Sequence, residues 1–125
     1  MKTIFVVDDD ADDLEVFCEA VREIDGSIKC IECADPEMAR TLIRSMIVPN
    51  IAFIDINMPK YSGFELLGDI RAESSLNKLP IAMLSTSMDE KAQSRLRSMG
   101  AQFVLAKPPT FPEYVEMLKP ILSNI

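Results

Sequence analysis

Ile51-Ala52-Phe53-Ile54-Asp55-Ile56-Asn57-Met58-Pro59-Lys60-Tyr61-Ser62-Gly63 is the stretch whose reading decides the fold. Its apolar run carries no polar residue before Asp55, the pattern of a strand buried on both faces. Asp55 falls where that strand emerges at its carboxyl end, the edge at which open α/β sheets bind ligands. Pro59 has no N–H to continue a ladder and Gly63 permits a tight backbone path, so a shaped loop follows.

Four further apolar runs flank this one. Thr3 to Val7 precedes Asp8-Asp9-Asp10, and Ile28 to Cys33 forms the next. Ile81 to Leu84, opened by Pro80, ends in Ser85-Thr86-Ser87. Gln102 to Ala106 ends in Lys107-Pro108-Pro109. Between the runs, apolar residues recur at helical spacing. Leu14, Phe17, Cys18, Val21 and Ile24 predict a helix over residues 11 to 24, with Asp10, Asp12 and Asp13 at the positive end of its dipole. Asp35-Pro36-Glu37 reads as the start of a second helix, with Met38, Ala39, Leu42, Ile43 and Met46 as its inner stripe. Ser62-Gly63-Phe64-Glu65 fits a capping box before Phe64, Leu66, Leu67 and Ile70. Ser74 to Leu79 reads as a polar connector. Ser87-Met88-Asp89-Glu90 is a second capping-box pattern, opening a helix with a thin stripe of Ala92, Leu96 and Met99. Tyr114, Val115, Leu118, Ile121 and Leu122 mark the inner face of the last helix, Thr110 to Leu122. Five strands alternating with five helices predict a parallel sheet covered on both faces. Right-handed crossovers then favour a flavodoxin-like (βα)5 fold of strand order 2-1-3-4-5.

At 125 residues the chain is expected to form one domain, residues 1–125, with an ordinary globular balance of 48% apolar and 26% charged residues. A net charge of −7 repels a phosphate backbone, which argues against direct nucleic-acid binding. No run of 18 apolar residues and no charged-then-apolar leader is present, so no membrane association and a cytoplasmic location are expected. The chain has no histidine, which excludes Ser/His and Cys/His nucleophile pairs and the commonest transition-metal ligand. Of its three cysteines, Cys30 and Cys33 are spaced to point to opposite faces of a strand. Together with Cys18 they read as buried thiols rather than a zinc site or a disulfide framework.

A parallel sheet brings the ends of its strands to one edge: Asp8 and Asp9, Asp55, Ser85 and Thr86, and Lys107. Carboxylates this close repel unless a cation neutralises them. Magnesium, which takes oxygen ligands and keeps several waters, suits such a cluster together with a phosphate. A carboxylate can attack phosphorus to form an acyl phosphate. Charge on the transferring oxygens then needs partners, which the metal, the Lys107 ammonium and the Ser85 hydroxyl can supply.

On these residues the chain resembles the receiver domains of two-component response regulators. Val6-Val7-Asp8-Asp9 is similar to the family's first strand and acidic pair. Asp55-Ile56-Asn57-Met58-Pro59 with Gly63 is similar to its phosphoacceptor motif, Ser85 to its Ser/Thr switch, and Lys107-Pro108 to its Lys-Pro pair. The resemblance implies that Asp55 accepts the phosphoryl group, with Mg2+ held by Asp8, Asp9, Asp55 and the Asn57 carbonyl. It implies that Ser85 and Lys107 bond the phosphoryl oxygens and that the Lys107–Pro108 peptide is cis. It implies a phosphorelay protein without output domain, no enzyme beyond its own phosphorylation and dephosphorylation. A histidine kinase or histidine phosphotransfer protein would be the donor, and a downstream protein would dock at the fourth helix, fifth strand and fifth helix. Two positions depart from the pattern: Val104 stands where an aromatic residue is usual, and Pro109 follows the Lys-Pro pair. Two other readings fit parts of the pattern. One is a receiver fold that binds partners without phosphorylation. The other rests on Asp8-Asp9-Asp10, which resembles the Asp-x-Asp of haloacid dehalogenase-type phosphatases with Asp8 as nucleophile; Asp12 departs from that pattern.

Overall fold

All five apolar runs enter one parallel sheet of order β2-β1-β3-β4-β5 in the computed structural model. The structure describes residues 2–45, 47–58, 61–86 and 89–125, the side chains of Pro36 and Ile43 excepted. The elements are β1 (Thr3–Val7), α1 (Ala11–Ile24), β2 (Lys29–Cys33), α2 (Pro36–Arg44), β3 (Ile51–Asp55), α3 (Gly63–Ala72), β4 (Ile81–Ser85), α4 (Glu90–Ser98), β5 (Phe103–Ala106) and α5 (Phe111–Leu122). The order is the flavodoxin-like one expected from the alternation of strands and helices.

The central strands β3 and β4 are buried along their whole length. Their side chains alternate between two cores. Ile4, Val6, Phe53, Ala82 and Leu84 pack with Leu14, Phe17 and Val21 of α1 and with Tyr114 and Leu118 of α5. Phe5, Val7, Ile54 and Met83 pack with Ala39 of α2, Leu66, Leu67 and Ile70 of α3, and Leu96 of α4. Phe103 joins the first core and Val104 the second, so the valine faces the side on which an aromatic residue was expected.

Short polar side chains set the helix starts. Asp10 accepts from the N–H groups of Asp12 and Asp13, Asp35 from Glu37, Ser62 from Glu65, and Thr110 from Glu113. Three expectations need correction. α4 is capped by Asp89, whose carboxylate accepts from the Ala92 N–H; Ser87, expected to cap it, lies outside the described residues, as do Met46 and Pro59. Met38 is 51% exposed rather than inward-facing. Ala39 is buried and Leu42 packs on the same core, so the face they share points inward and Met38 lies outside it. The connector after α3 is not simply polar: it forms a short 3-10 turn over Ser74–Leu76 and buries Leu76 and Leu79. Arg71 holds it, donating to the carbonyls of Leu76, Asn77, Leu79 and, across to the α4–β5 turn, Gly100.

The loop after β3 is closed by two backbone bonds, Ile56 N–H to the Leu84 carbonyl at 2.9 Å and Gly63 N–H to the Ile56 carbonyl at 3.1 Å. This brings α3 so near β3 that a Cβ on Gly63 would lie 2.6 Å from the Asp55 carbonyl oxygen and 2.7 Å from Ile56 Cα. Glycine is required there by close approach of backbone, neither atom being able to swing aside. Gly63→Ala is therefore expected to lower unfolding stability by about 1–3 kcal/mol, the usual cost of overpacking. A urea titration would show this as a lower midpoint; an unchanged midpoint would mean that the loop tolerates a methyl group.

Candidate functional site

The parallel register delivers the polar residues to one edge. Val7 pairs with Cys33 on one side and Ile54 on the other, so Asp8 lies one residue beyond the sheet, beside Asp55 at the end of β3. The Asp8 N–H is fixed by the Cys33 carbonyl at 3.0 Å and the Lys107 N–H by the Ser85 carbonyl at 2.8 Å. Asp8 and Asp55 are buried, Asp9 is exposed, and one carboxylate oxygen from each lies within 4.8 Å of the others. All three donors are hard oxygens, which fits a magnesium-class ion and not a thiolate- or imidazole-seeking metal.

Each carboxylate is oriented by the backbone two residues on. Asp8 Oδ1 accepts from the Asp10 N–H and Asp55 Oδ1 from the Asn57 N–H, each at 3.0 Å. The Asn57 side chain reaches across to β4, its Nδ2 donating to Ser85 Oγ at 3.1 Å. Lys107 Nζ lies 2.8 Å from Asp8 Oδ2, 2.8 Å from Asp13 Oδ2 and 3.5 Å from Asp55 Oδ2. Of the six expected site residues, Asp8, Asp9, Asp55, Ser85 and Lys107 gather at one edge, and the side chain of the sixth, Asn57, is bonded to Ser85. Asp13, read in the sequence only as a helix-dipole acid, joins them as a partner of Lys107. Its position in the first turn of α1, beside the strand edge, was the available signal. The peptide before Pro108 is trans, the described residues containing no cis bond; trans is the isomer the proline amide itself favours.

Burial pushes the Asp8 carboxyl up, from 3.8 to about 6, against the lowering effects of Lys107 and the Asp10 N–H; the Asp55 charge adds to the rise. Burial alone would lower the Lys107 ammonium, but its bonds to Asp13 and Asp8 outweigh that and hold it above its ordinary range. The sheet edge is therefore a set of acids only part-neutralised by one amine.

Residues 4–119 match the family described as the response regulator receiver domain, and the chain belongs to that family. Receiver domains accept phosphoryl groups, bind Mg2+ or Mn2+ at an acidic pocket, and are in general signalling modules rather than enzymes. Histidine kinases phosphorylate them, and they dock to downstream targets. The chain is 30% identical over 123 residues to the phosphate regulon transcriptional regulatory protein PhoB of Pseudomonas aeruginosa, a match that spans 98% of this chain and 52% of PhoB. It spans about half or less of the first curated relatives it matches. Its fold is shared by the phosphorylated cyanobacterial phytochrome response regulator RcpA, with a TM-score of 0.88, 24% identity, and coverage of 99% of this chain and 96% of that one. It is shared too by the manganese-bound form of response regulator Rcp1, with a TM-score of 0.83, 24% identity, and coverage of 98% and 93%. Among the described residues no helix is long and apolar enough to cross a membrane.

Between pH 3.8 and about 6 the folded chain keeps a proton at Asp8 that the unfolded chain has released. Its ionisation therefore subtracts stability above that window, and the loss is recovered as pH falls through it. In the metal-free protein, the Asp8 carboxyl carbon should titrate by NMR with a midpoint near 6. Lys107→Met should move the midpoint higher, because the ammonium lowers it. A midpoint in the ordinary aspartate range would show that burial does not govern the group.

Proposed function

We propose that Asp55 is the phosphoacceptor of a phosphorelay. The observation that supports this best is the joint placement of the Asp8, Asp9 and Asp55 oxygens within 4.8 Å, with the Lys107 ammonium 3.5 Å from Asp55. An Asp55 oxygen attacks the phosphorus of a phosphohistidine on a kinase or phosphotransfer protein. The new P–O bond forms as the P–N bond breaks, and its electron pair leaves with the imidazole. Asp8, Asp9, Asp55 and the Asn57 carbonyl would hold magnesium, which when bound neutralises the carboxylates and draws charge from the phosphoryl oxygens.

The chain's own residues do the rest. The Asn57 N–H fixes Asp55 Oδ1 so that the carboxylate presents one face to the donor. Lys107 exchanges part of its pairing with Asp8 and Asp13 for a phosphoryl oxygen. Asn57 Nδ2 donates to Ser85 Oγ, and the hydroxyl turns to donate to the phosphoryl group once it arrives. On this reading Ser85 carries the change towards α4, and the protein acts in the cytoplasm where its phosphodonor is. A downstream protein would meet α4, β5 and α5. An open cleft of about 420 Å³ beside Lys107, lined by Pro108, Pro109, Glu113, Glu116 and Met117, supports that face. Switching it from almost all off to almost all on requires roughly 5.5 kcal/mol of differential stabilisation.

Intact mass after incubation with magnesium and acetyl phosphate tests the assignment. One phosphoryl group should be gained by the wild type and none by Asp55→Asn; equal gain by both would place the acceptor elsewhere. Asp13 offers a finer test. It competes with the phosphoryl group for Lys107, so Asp13→Asn should speed acyl-phosphate formation by up to roughly fivefold, the scale of a part-exposed ion pair. A slower rate would mean that Asp13 positions Lys107 rather than restrains it.

A further inference from the structure

α1 and β2 bring two thiols together away from the acidic edge. Cys18 lies on the inner face of α1 and Cys30 on β2, and their sulfurs are 2.7 Å apart. We propose that Cys18 and Cys30 are a modification site, a reversible disulfide that ties α1 to the edge strand of the sheet.

The geometry supports this in three ways. A disulfide has its sulfurs at about 2.05 Å, so closure asks each to move by only about 0.3 Å. Both residues sit in regular elements, Cys30 being paired with Ile4 in the β1–β2 register, so the two sulfurs stay matched. Their access differs: β2 is an outer strand and Cys30 is half-buried, whereas Cys18 is 3% exposed behind it. Cys33 is 0% exposed and packs in the core on the other face of the sheet, which keeps it out of the pair.

The natural oxidant class is a small-molecule disulfide such as glutathione disulfide. The Cys30 sulfur, as thiolate, attacks one sulfur of the reagent; that S–S bond breaks, and one glutathione leaves as thiolate and takes up the proton Cys30 lost. Cys18 then attacks the Cys30 sulfur of the mixed disulfide, and the second glutathione leaves. The Cys30 thiol, burial and the Glu32 carboxylate hold the Cys18 proton tightly. Glu32 shares the face of Cys30, two residues along β2, and is placed to take that proton and pass it to the departing glutathione. Two protein thiols are thus oxidised by two electrons, and one glutathione disulfide becomes two glutathione thiols. The closed loop, about a dozen residues, is the kind whose bridging raises melting temperature by roughly 5–10 °C.

The test incubates the whole protein in graded mixtures of reduced and oxidised glutathione, quenches with acid, alkylates after denaturation and maps the peptides. The expected result is a Cys18–Cys30 link within one chain, with Cys33 alkylated, reversal by excess reduced glutathione, and a raised melting temperature. Cys33→Ser should keep the link and Cys30→Ser should lose it. A glutathione adduct that stays on Cys30, a link between Cys30 and Cys33, a link between two chains, or no link at all would overturn the proposal.

Discussion

Like charges brought together at the end of a sheet are the constraint on which the structure turns. β1 and β3 must lie side by side for their apolar residues to be buried, and that pairing sets Asp8 next to Asp55. The repulsion is answered by Lys107, delivered by β5 from the far side of β4, with its ammonium against Asp8 and Asp13 and within 3.5 Å of Asp55. Removing the lysine leaves the buried Asp8 and Asp55 charges without their cation. One ammonium leaves the cluster net negative, the charge that a dication would offset.

The backbone supports this arrangement with short-range devices. Asp8 and Asp55 each accept from the N–H two residues on, so each carboxylate is aimed by its own loop. Gly63 lets α3 approach the Asp55 carbonyl, which fixes the loop that carries Asn57. Asn57 in turn reaches Ser85, so the loop after β3 and the end of β4 are joined.

Most of the fold was legible because period and punctuation agreed: apolar runs of strand length, capping residues before each helical stripe, and a strand order fixed by crossover handedness. Asp8, Asp9, Asp55, Ser85 and Lys107 were legible because each ends a run or lies one or two residues past it, where a parallel sheet gathers them. What escaped the sequence depends on meetings between elements. Asp13 sits among acids that all favour a helix start, and only the position of β5 shows that it holds Lys107. Cys18 and Cys30 belong to a stripe and a strand that say nothing of each other until α1 lies over β2. Met38 was misplaced because it borders the stripe that Ala39 and Leu42 turn to the core, and helical periodicity alone does not say on which side of that border it falls. Leu76 and Leu79 looked like part of a polar connector, and the guanidinium that organises them lies a turn earlier, at Arg71.

Arg71 has a mechanical meaning for α4. This helix buries only Leu96, so packing alone holds it lightly to the sheet. Its two ends are unequal. At the far end, Arg71 grips the Gly100 carbonyl at 2.6 Å, and Gly100 takes a left-handed turn with φ of 101° that only glycine adopts easily. At the near end, the Asp89 carboxylate caps the first turn. α4 is thus a lever with its fulcrum at Gly100, anchored through Arg71 to the rigid α3. Any displacement of this helix would therefore pivot about its Gly100 end rather than slide the whole element.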